Sequence, residues 1–352
     1  MPIKNGFFFK MENTEVTIHD IAAILGIDSS TVSRALNNSP RVAEKTKNKI
    51  LEKANELGYQ RNHLASNLRK NKTYTLGVIV PRISRDFFSS TISGIEETAF
   101  KAGYNVIICQ SLESLEREKN IIKTLLSNRV DGVLISISME TTNYKHLEGL
   151  KKRNIPYVFF DRHCNIEGNS NVLIDDFDAA FVATEHLITK KSEVIAHFSG
   201  PQNLEIYKNR FKGYKAALKK YNIPFSKELV ISSSLMESDG EENVKKLLTL
   251  PYKLDGLFCA NDVVAIGAIK YLKNIKVEIP KDIAIVGFSN ESISSVIDPS
   301  LTTINQPGLE IGITATNLLI SQIDDKSKII TNETIIVKTN LIERNSSLRV
   351  FE

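Results

Sequence analysis

The sequence predicts a small all-α helix-turn-helix head followed by an α/β core with parallel sheets. Three observations carry this. Residues 17–57 space their apolar side chains as helices do, with a break at Gly26. From Thr75 onward, short apolar runs alternate with amphipathic stretches, the pattern of strands linked by helices. Positive charge gathers at one end: residues 17–72 hold ten Lys/Arg and five Asp/Glu, whereas the whole 352-residue chain is only +4. Such a length calls for two or three domains.

In the head, Thr17 and Asp20 form an N-cap pair ahead of an apolar stripe of Ile18, Ile21, Ala22 and Leu25. Gly26 permits a sharp turn, and Asp28 is placed to cap a second helix. There Val32, Ala35 and Leu36 face inward, leaving Ser29, Ser30, Ser33, Arg34 and Asn37 outward. A third helix is predicted from about Ala43 to Leu57, with Ile50, Ala54 and Leu57 as its buried side and Gly58 ending it. A face of small polar groups around one arginine, in a basic segment, suits a DNA major groove. Residues 60–74 read as a basic joint in which Asn62 caps a short helix ending near Lys70. Alone, that helix is too short to be stable in water.

The predicted core strands are Leu76–Val80, Val106–Cys109, Gly132–Ile137, Tyr157–Phe160, Val194–Phe198, Leu257–Ala260 and Ile283–Gly287. Val130-Asp131-Gly132 is echoed by Leu254-Asp255-Gly256, and Ile155-Pro156 by Ile279-Pro280, both at an offset of 124 residues. Two echoes at one offset indicate a duplicated α/β half. Two open sheets side by side leave a ligand cleft at the carboxyl ends of their strands.

Other classes fit poorly. Cys109, Cys164 and Cys259 are odd in number and far apart, which suits a reducing cytosol rather than a disulfide framework. No CxxC or HExxH spacing suggests a metal, and His163-Cys164 stands isolated; neither metal nor cofactor is expected. The apolar run at Phe7-Phe8-Phe9 is too short for a secretory signal, and no segment approaches a membrane span, so a cytoplasmic protein is expected. Residues 1–15 read as a loose arm. There is no Walker A, no GxGxxG after a strand and no GxSxG, so an enzyme is not expected. The rival reading, a secreted or cytosolic solute-binding protein or enzyme with an incidental N-terminal extension, leaves the basic helix pair without a use.

Taken in order, Thr31-Val32-Ser33-Arg34, Leu36-Asn37, Ala65-Ser66-Asn67-Leu68, Gly77-Val78-Ile79, Val130-Asp131-Gly132, Asp161-Arg162, Arg210-Phe211-Lys212-Gly213-Tyr214, Ala260-Asn261-Asp262 and Pro299-Ser300-Leu301-Thr302-Thr303 resemble the LacI/GalR family of ligand-responsive transcription regulators. The resemblance spans Val16 to about Leu341. It implies a flexible arm (1–15), a DNA-binding head (16–59), a hinge helix (60–74) and two periplasmic-binding-protein-like, Rossmann-like subdomains with parallel sheets. The first subdomain is expected at 75–161 and 291–324, the second at 162–290 and 325–345, with crossings near Asp161, Asn290 and Asp324. Dimers, in some members tetramers, are implied, reading a pseudo-palindromic operator in double-stranded DNA.

The resemblance also implies roles. Arg34 reads a base, since a guanidinium matches the guanine O6/N7 edge. Ser29 and Ser30 occupy the positions that choose sequence, although Ser29 also reads as a cap. Thr17, Thr31, Ser33 and Asn37 are expected at phosphates. Leu68 is expected to wedge into the minor groove. Arg61 and Ser66 depart from the family's more frequent Pro and Arg. In the cleft, Phe87, Phe88, Asp161, Arg210, Asn261 and Ser289 are expected to hold a small effector, most naturally a sugar: rings stack on C–H faces while Asp, Asn and Arg bond hydroxyls. Phe87 and Phe88 read equally as core, and Asp161 as structural. Arg210 also suits an anionic ligand. Ser289 departs from the aspartate that many relatives carry there.

Overall fold

In a computed structural model, residues 16–59, 72–164, 169–325 and 332–349 are described here. They form two compact units, divided at Lys72 and Thr73.

The first unit is three helices: α1 (Ile18–Leu25), α2 (Ser29–Leu36) and α3 (Glu44–Glu56). Thr17 caps α1 reciprocally. Its hydroxyl accepts from the Asp20 amide, and its own amide donates to the Asp20 carboxylate at 2.7 Å. The Thr17 hydroxyl, which also donates to the Asp20 carboxylate at 2.7 Å, and then the Thr17 amide hold that carboxyl below its usual range. Gly26 ends α1 in the left-handed region (φ 63°), where any Cβ would be strained. Ile21, Ala22, Val32, Ala35, Ile50 and Ala54 form the buried core, ringed by half-buried Ile18, Leu25, Leu36 and Leu57. Asp28 stands at the cap of α2, but its side chain makes no capping hydrogen bond, contrary to expectation. Leu68 and the expected hinge helix lie outside the described residues, as does the arm.

The second unit holds two six-stranded sheets. Its elements in chain order are β1 (Thr75–Val80), α4 (Asp86–Lys101), β2 (Asn105–Gln110), α5 (Leu115–Ser127), β3 (Gly132–Ile135), α6 (Glu148–Lys152), β4 (Tyr157–Phe160), β5 (Ser170–Ile174), α7 (Asp176–Thr189), β6 (Ile195–Ser199), α8 (Glu205–Lys220), β7 (Val230–Ser232), α9 (Glu237–Leu247), β8 (Gly256–Cys259), α10 (Asp262–Asn274), β9 (Ala284–Ser289), β10 (Thr302–Asn305), α11 (Gly308–Asp324), β11 (Thr334–Val337) and β12 (Asn340–Ile342). The sheet orders are β11-β5-β4-β3-β1-β2 and β12-β10-β9-β8-β6-β7. They are the same order twice. All pairings are parallel except β10 with β12.

The repeat seen in the sequence is therefore structural. Asp131, just before β3, accepts from the Thr73 and Tyr74 amides; Asp255, just before β8, accepts from the Glu193 and Val194 amides. Each carboxylate clamps the entry of the neighbouring strand at the equivalent place in its lobe.

Strand pairing moves the lobe boundaries. β5 lies in the first sheet, β10 in the second and β11 in the first again. The chain thus crosses between Ile174 and Asp176, between Asn305 and Gly308, and between Val337 and Asn340, rather than near Asp161, Asn290 and Asp324. Each crossing comes one strand later than expected, because a short strand still adds to the sheet it has just left. In the first lobe α4 and α11 pack together so closely that a Cβ at Gly94 would stand 2.3 Å from the Leu309 carbonyl oxygen. In the second lobe α7 pairs with α8, and α9 with α10.

Candidate functional site

On the head, α2 presents the expected face. Ser30, Arg34 and Asn37 are exposed, and Ser29, Thr31 and Ser33 are half-buried beside them. Lys45 and Lys49 on α3 are exposed as well. Two of the expected contact residues carry intramolecular work: Thr17 serves the α1 cap, and the Asn37 amide donates to the Ser33 carbonyl at 2.6 Å.

In the core, the carboxyl ends of both sheets converge on one buried polar cluster. Asp161 follows β4, Ser136 follows β3, Ala260 follows β8, Ser289 ends β9 and Gln306 follows β10. Asp161 is buried with φ 58°, within hydrogen-bond reach of Ser136 (3.5 Å) and of the Gln306 amide nitrogen (3.4 Å), and 3.8 Å from the Arg162 Nε. Burial pushes its carboxyl up, while Arg162 and Arg210 pull it back. Arg210 is 3% exposed. Its Nε donates to Asp176 at 2.7 Å, its Nη1 donates to the Ala260 carbonyl at 2.6 Å, and its guanidinium lies 3.5 Å from the centre of the Phe288 ring. Burial pushes the Asp176 carboxyl up to about 6 against the pull of Arg210. Arg162 donates to Glu113 at 2.8 Å, and its buried Nε has no hydrogen-bond partner among the described residues.

The expected residues separate on inspection. Asp161, Arg210 and Ser289 meet in this cluster. Phe87 and Phe88 begin α4 with their rings edge to face at 5.0 Å. Phe88 continues onto Phe160; both rings are buried in the core, and Phe87 also lines a groove. Asn261 is a helix cap: its Oδ1 accepts from the Val264 amide and its Nδ2 donates to the Leu235 carbonyl. That use accounts for an asparagine at the mouth of α10 without a ligand. Asp176, Glu113 and Gln306 were missed. A polar residue at the carboxyl end of a strand is the usable signal, and it marks Gln306 once the polar strand β10 is recognised. Asp176 and Glu113 come together only in three dimensions.

At the groove, which encloses about 770 Å³, the lobes exchange helix caps. The Asp86 amide at the start of α4 donates to the Glu291 carboxylate at 3.2 Å. In return the Asp86 carboxylate accepts from the Ser292 amide at 2.7 Å and from the Ser292 hydroxyl. Asp262 steadies the Glu291 side of this latch by accepting from the Glu291 amide, Ser294 and Thr303.

A helix-turn-helix head and a two-lobed α/β core with a buried polar seam, in one chain, define a ligand-responsive DNA-binding regulator. Comparison places it. The model for bacterial regulatory proteins of the lacI family matches residues 17–62, and that for periplasmic binding proteins and the sugar binding domain of the LacI family matches residues 73–344. The chain belongs to the LacI family; it is a DNA-binding transcription regulator and not an enzyme. A ribose operon repressor of Halalkalibacterium halodurans is 33% identical over 88% of this chain and 91% of its own. A LacI-family regulator of Enterococcus faecium, solved with bound ribose, is 29% identical with a TM-score of 0.67 over 77% of this chain and 98% of its own. The lac repressor dimer bound to operator and an anti-inducer shares the fold, with a TM-score of 0.82 at 23% identity over 96% of this chain and 100% of its own.

Proposed function

We propose that this protein is a cytoplasmic, homodimeric repressor whose affinity for a pseudo-palindromic operator is set by a neutral sugar of about pentose size bound between the core lobes. The observation that carries the proposal is the buried Asp161–Arg162–Arg210–Gln306 seam at the carboxyl ends of both sheets. Carboxylates and guanidiniums held in fixed geometry suit a ring of hydroxyls. The relatives named for, or solved with, ribose support the ligand class. Asp161 and Arg210 Nη2, which neither of the two contacts above uses, are the assigned hydrogen-bonding groups, and Phe87 supplies an apolar wall. Phe88 and Asn261 hold the walls in place.

On the head, Arg34 reads a base, Ser29 and Ser30 take the positions that choose sequence, and Thr17, Thr31, Ser33 and Asn37 set register against phosphates. Leu68 supplies a minor-groove wedge. Sugar binding changes the angle between the lobes, and operator affinity follows only as far as the sugar prefers one form over the other.

The test is selection of bound duplexes from random DNA, repeated with D-ribose, followed by titration at several salt concentrations. A symmetric site whose affinity falls steeply with salt and shifts with ribose is expected. Binding no tighter than bulk competitor DNA, with or without sugars, overturns the reading.

A further inference from the structure

Three residues other than glycine bring left-handed backbone to the seam: Asp161 (φ 58°), Asn290 (φ 55°) and Ser289 (φ 110°). The last is the most costly, because that region suits glycine and a serine there is retained only where its surroundings hold it. What holds it is visible. Its hydroxyl donates to the Gln306 Oε1 at 2.7 Å, and the Gln306 Nε2 in turn reaches the Asp161 Oδ1 at 3.4 Å. The chain of bonds runs from β9 in the second lobe, through the second crossing, to the end of β4 in the first.

A glutamine amide can present either end to a neighbour, and its surroundings decide which. Asp161 in its ionised form only accepts, so it asks for the nitrogen. Ser289 supplies the matching demand at the other end, because it gives Oε1 a donor. We propose that Ser289 is a positioning residue: it fixes the Gln306 amide so that the seam offers an N–H donor at the Asp161 corner, and it thereby selects the ligand hydroxyl that this corner serves. This rests on the sugar-binding reading above and names the atom pair that sets its selectivity. The serine hydroxyl spends its proton on Gln306, so toward a ligand it is left only as an acceptor. A ligand group facing both residues must therefore accept from the amide and donate to the serine, which a hydroxyl does and an ether or methylene does not.

The experiment is a double-mutant cycle of Ser289→Gly, Gln306→Ala and the pair in the full chain, read in two ways. Glycine tolerates the backbone at this position, so the hydroxymethyl group leaves without new strain, and the strain that glycine relieves cancels in the cycle. The first reading is calorimetric affinity for D-ribose and its 2-, 3- and 5-deoxy analogues. Ser289→Gly should weaken ribose binding by about five- to tenfold, the size of one neutral hydrogen bond, and by less than about twofold when Gln306 is already alanine. For one deoxy analogue the Ser289→Gly effect should vanish, a result that a purely structural role would not produce. Additive effects, or equal loss for all four sugars, overturn the proposal. The second reading is thermal stability without ligand, where the same coupling should appear. If it appears while the unaltered chain binds none of the sugars, the pentose reading fails and the positioning stands. If ribose binds and neither coupling appears, the positioning fails and the pentose reading stands.

Discussion

Replacing Asp176 by asparagine should change how the stability of the core depends on pH. Burial raises this carboxyl from 3.8 to about 6 even though Arg210 donates to it at 2.7 Å. The folded chain therefore binds a proton more readily than the unfolded chain between these values. A raised acid pKa means that stability falls as pH rises through the window and recovers as pH drops. At pH 7.5 the ionised form costs about 3 kcal/mol relative to an unperturbed carboxyl, and at pH 5 about half as much. Acidification across that range thus returns about 1 kcal/mol that the amide cannot return. Other buried groups titrate nearby: burial raises Asp161, Asp262 and Glu291, and lowers His197 to about 4. They are common to both proteins, so the difference between the two reports Asp176 together with Asp161, the buried carboxyl whose charge it feels. The assay is urea unfolding of wild type and Asp176→Asn at half-unit steps from pH 5 to 7.5. The wild type should gain on the variant as pH falls, by roughly the amount above. Parallel curves would refute the argument, because they would mean that Asp176 carries the same charge folded and unfolded.

Arg34→Ala should cost about 1–3 kcal/mol of operator affinity and relax base preference at one position per half-site, with sugar affinity unchanged; a bound-sequence selection checks both. Asp131→Ala and Asp255→Ala should each destabilise the core by about 2–3 kcal/mol, since each removes a carboxylate that takes two main-chain amides; matched losses in denaturant melts would bear out the internal symmetry. Asp86→Ala should speed sugar release several-fold in stopped-flow measurements, because it removes one half of the exchanged caps between lobes.

Much of the core was legible because its central strands are fully buried and read as continuous apolar runs, as at Gly132–Ile135 and Tyr157–Phe160. The missed strands are short or half-exposed. β5 alternates buried and half-buried residues, and β12 has three residues, none of them buried. β5 and β10 add to β4 and β9, the strands just before them, and β11 adds to the distant β5; none of the three was recognised as a strand, which is why all three crossings were placed early. In the site, Asp161 and Arg210 were legible only through the family resemblance, which carried both to the cleft. Asn261 reads two ways, because a cap and a ligand contact can use the same amide. Gln306 escaped because its role exists only once Ser289 and Asp161 stand on either side of it.

The last two strands have a consequence for damage. β11 closes an edge of one sheet and β12, three residues later, closes an edge of the other. A nonsense codon or a protease cut shortly after α11 would therefore strip a border from both lobes at a single stroke. Two raw margins would then be open to foreign strands, so such truncated products should clump rather than survive as half-working regulators.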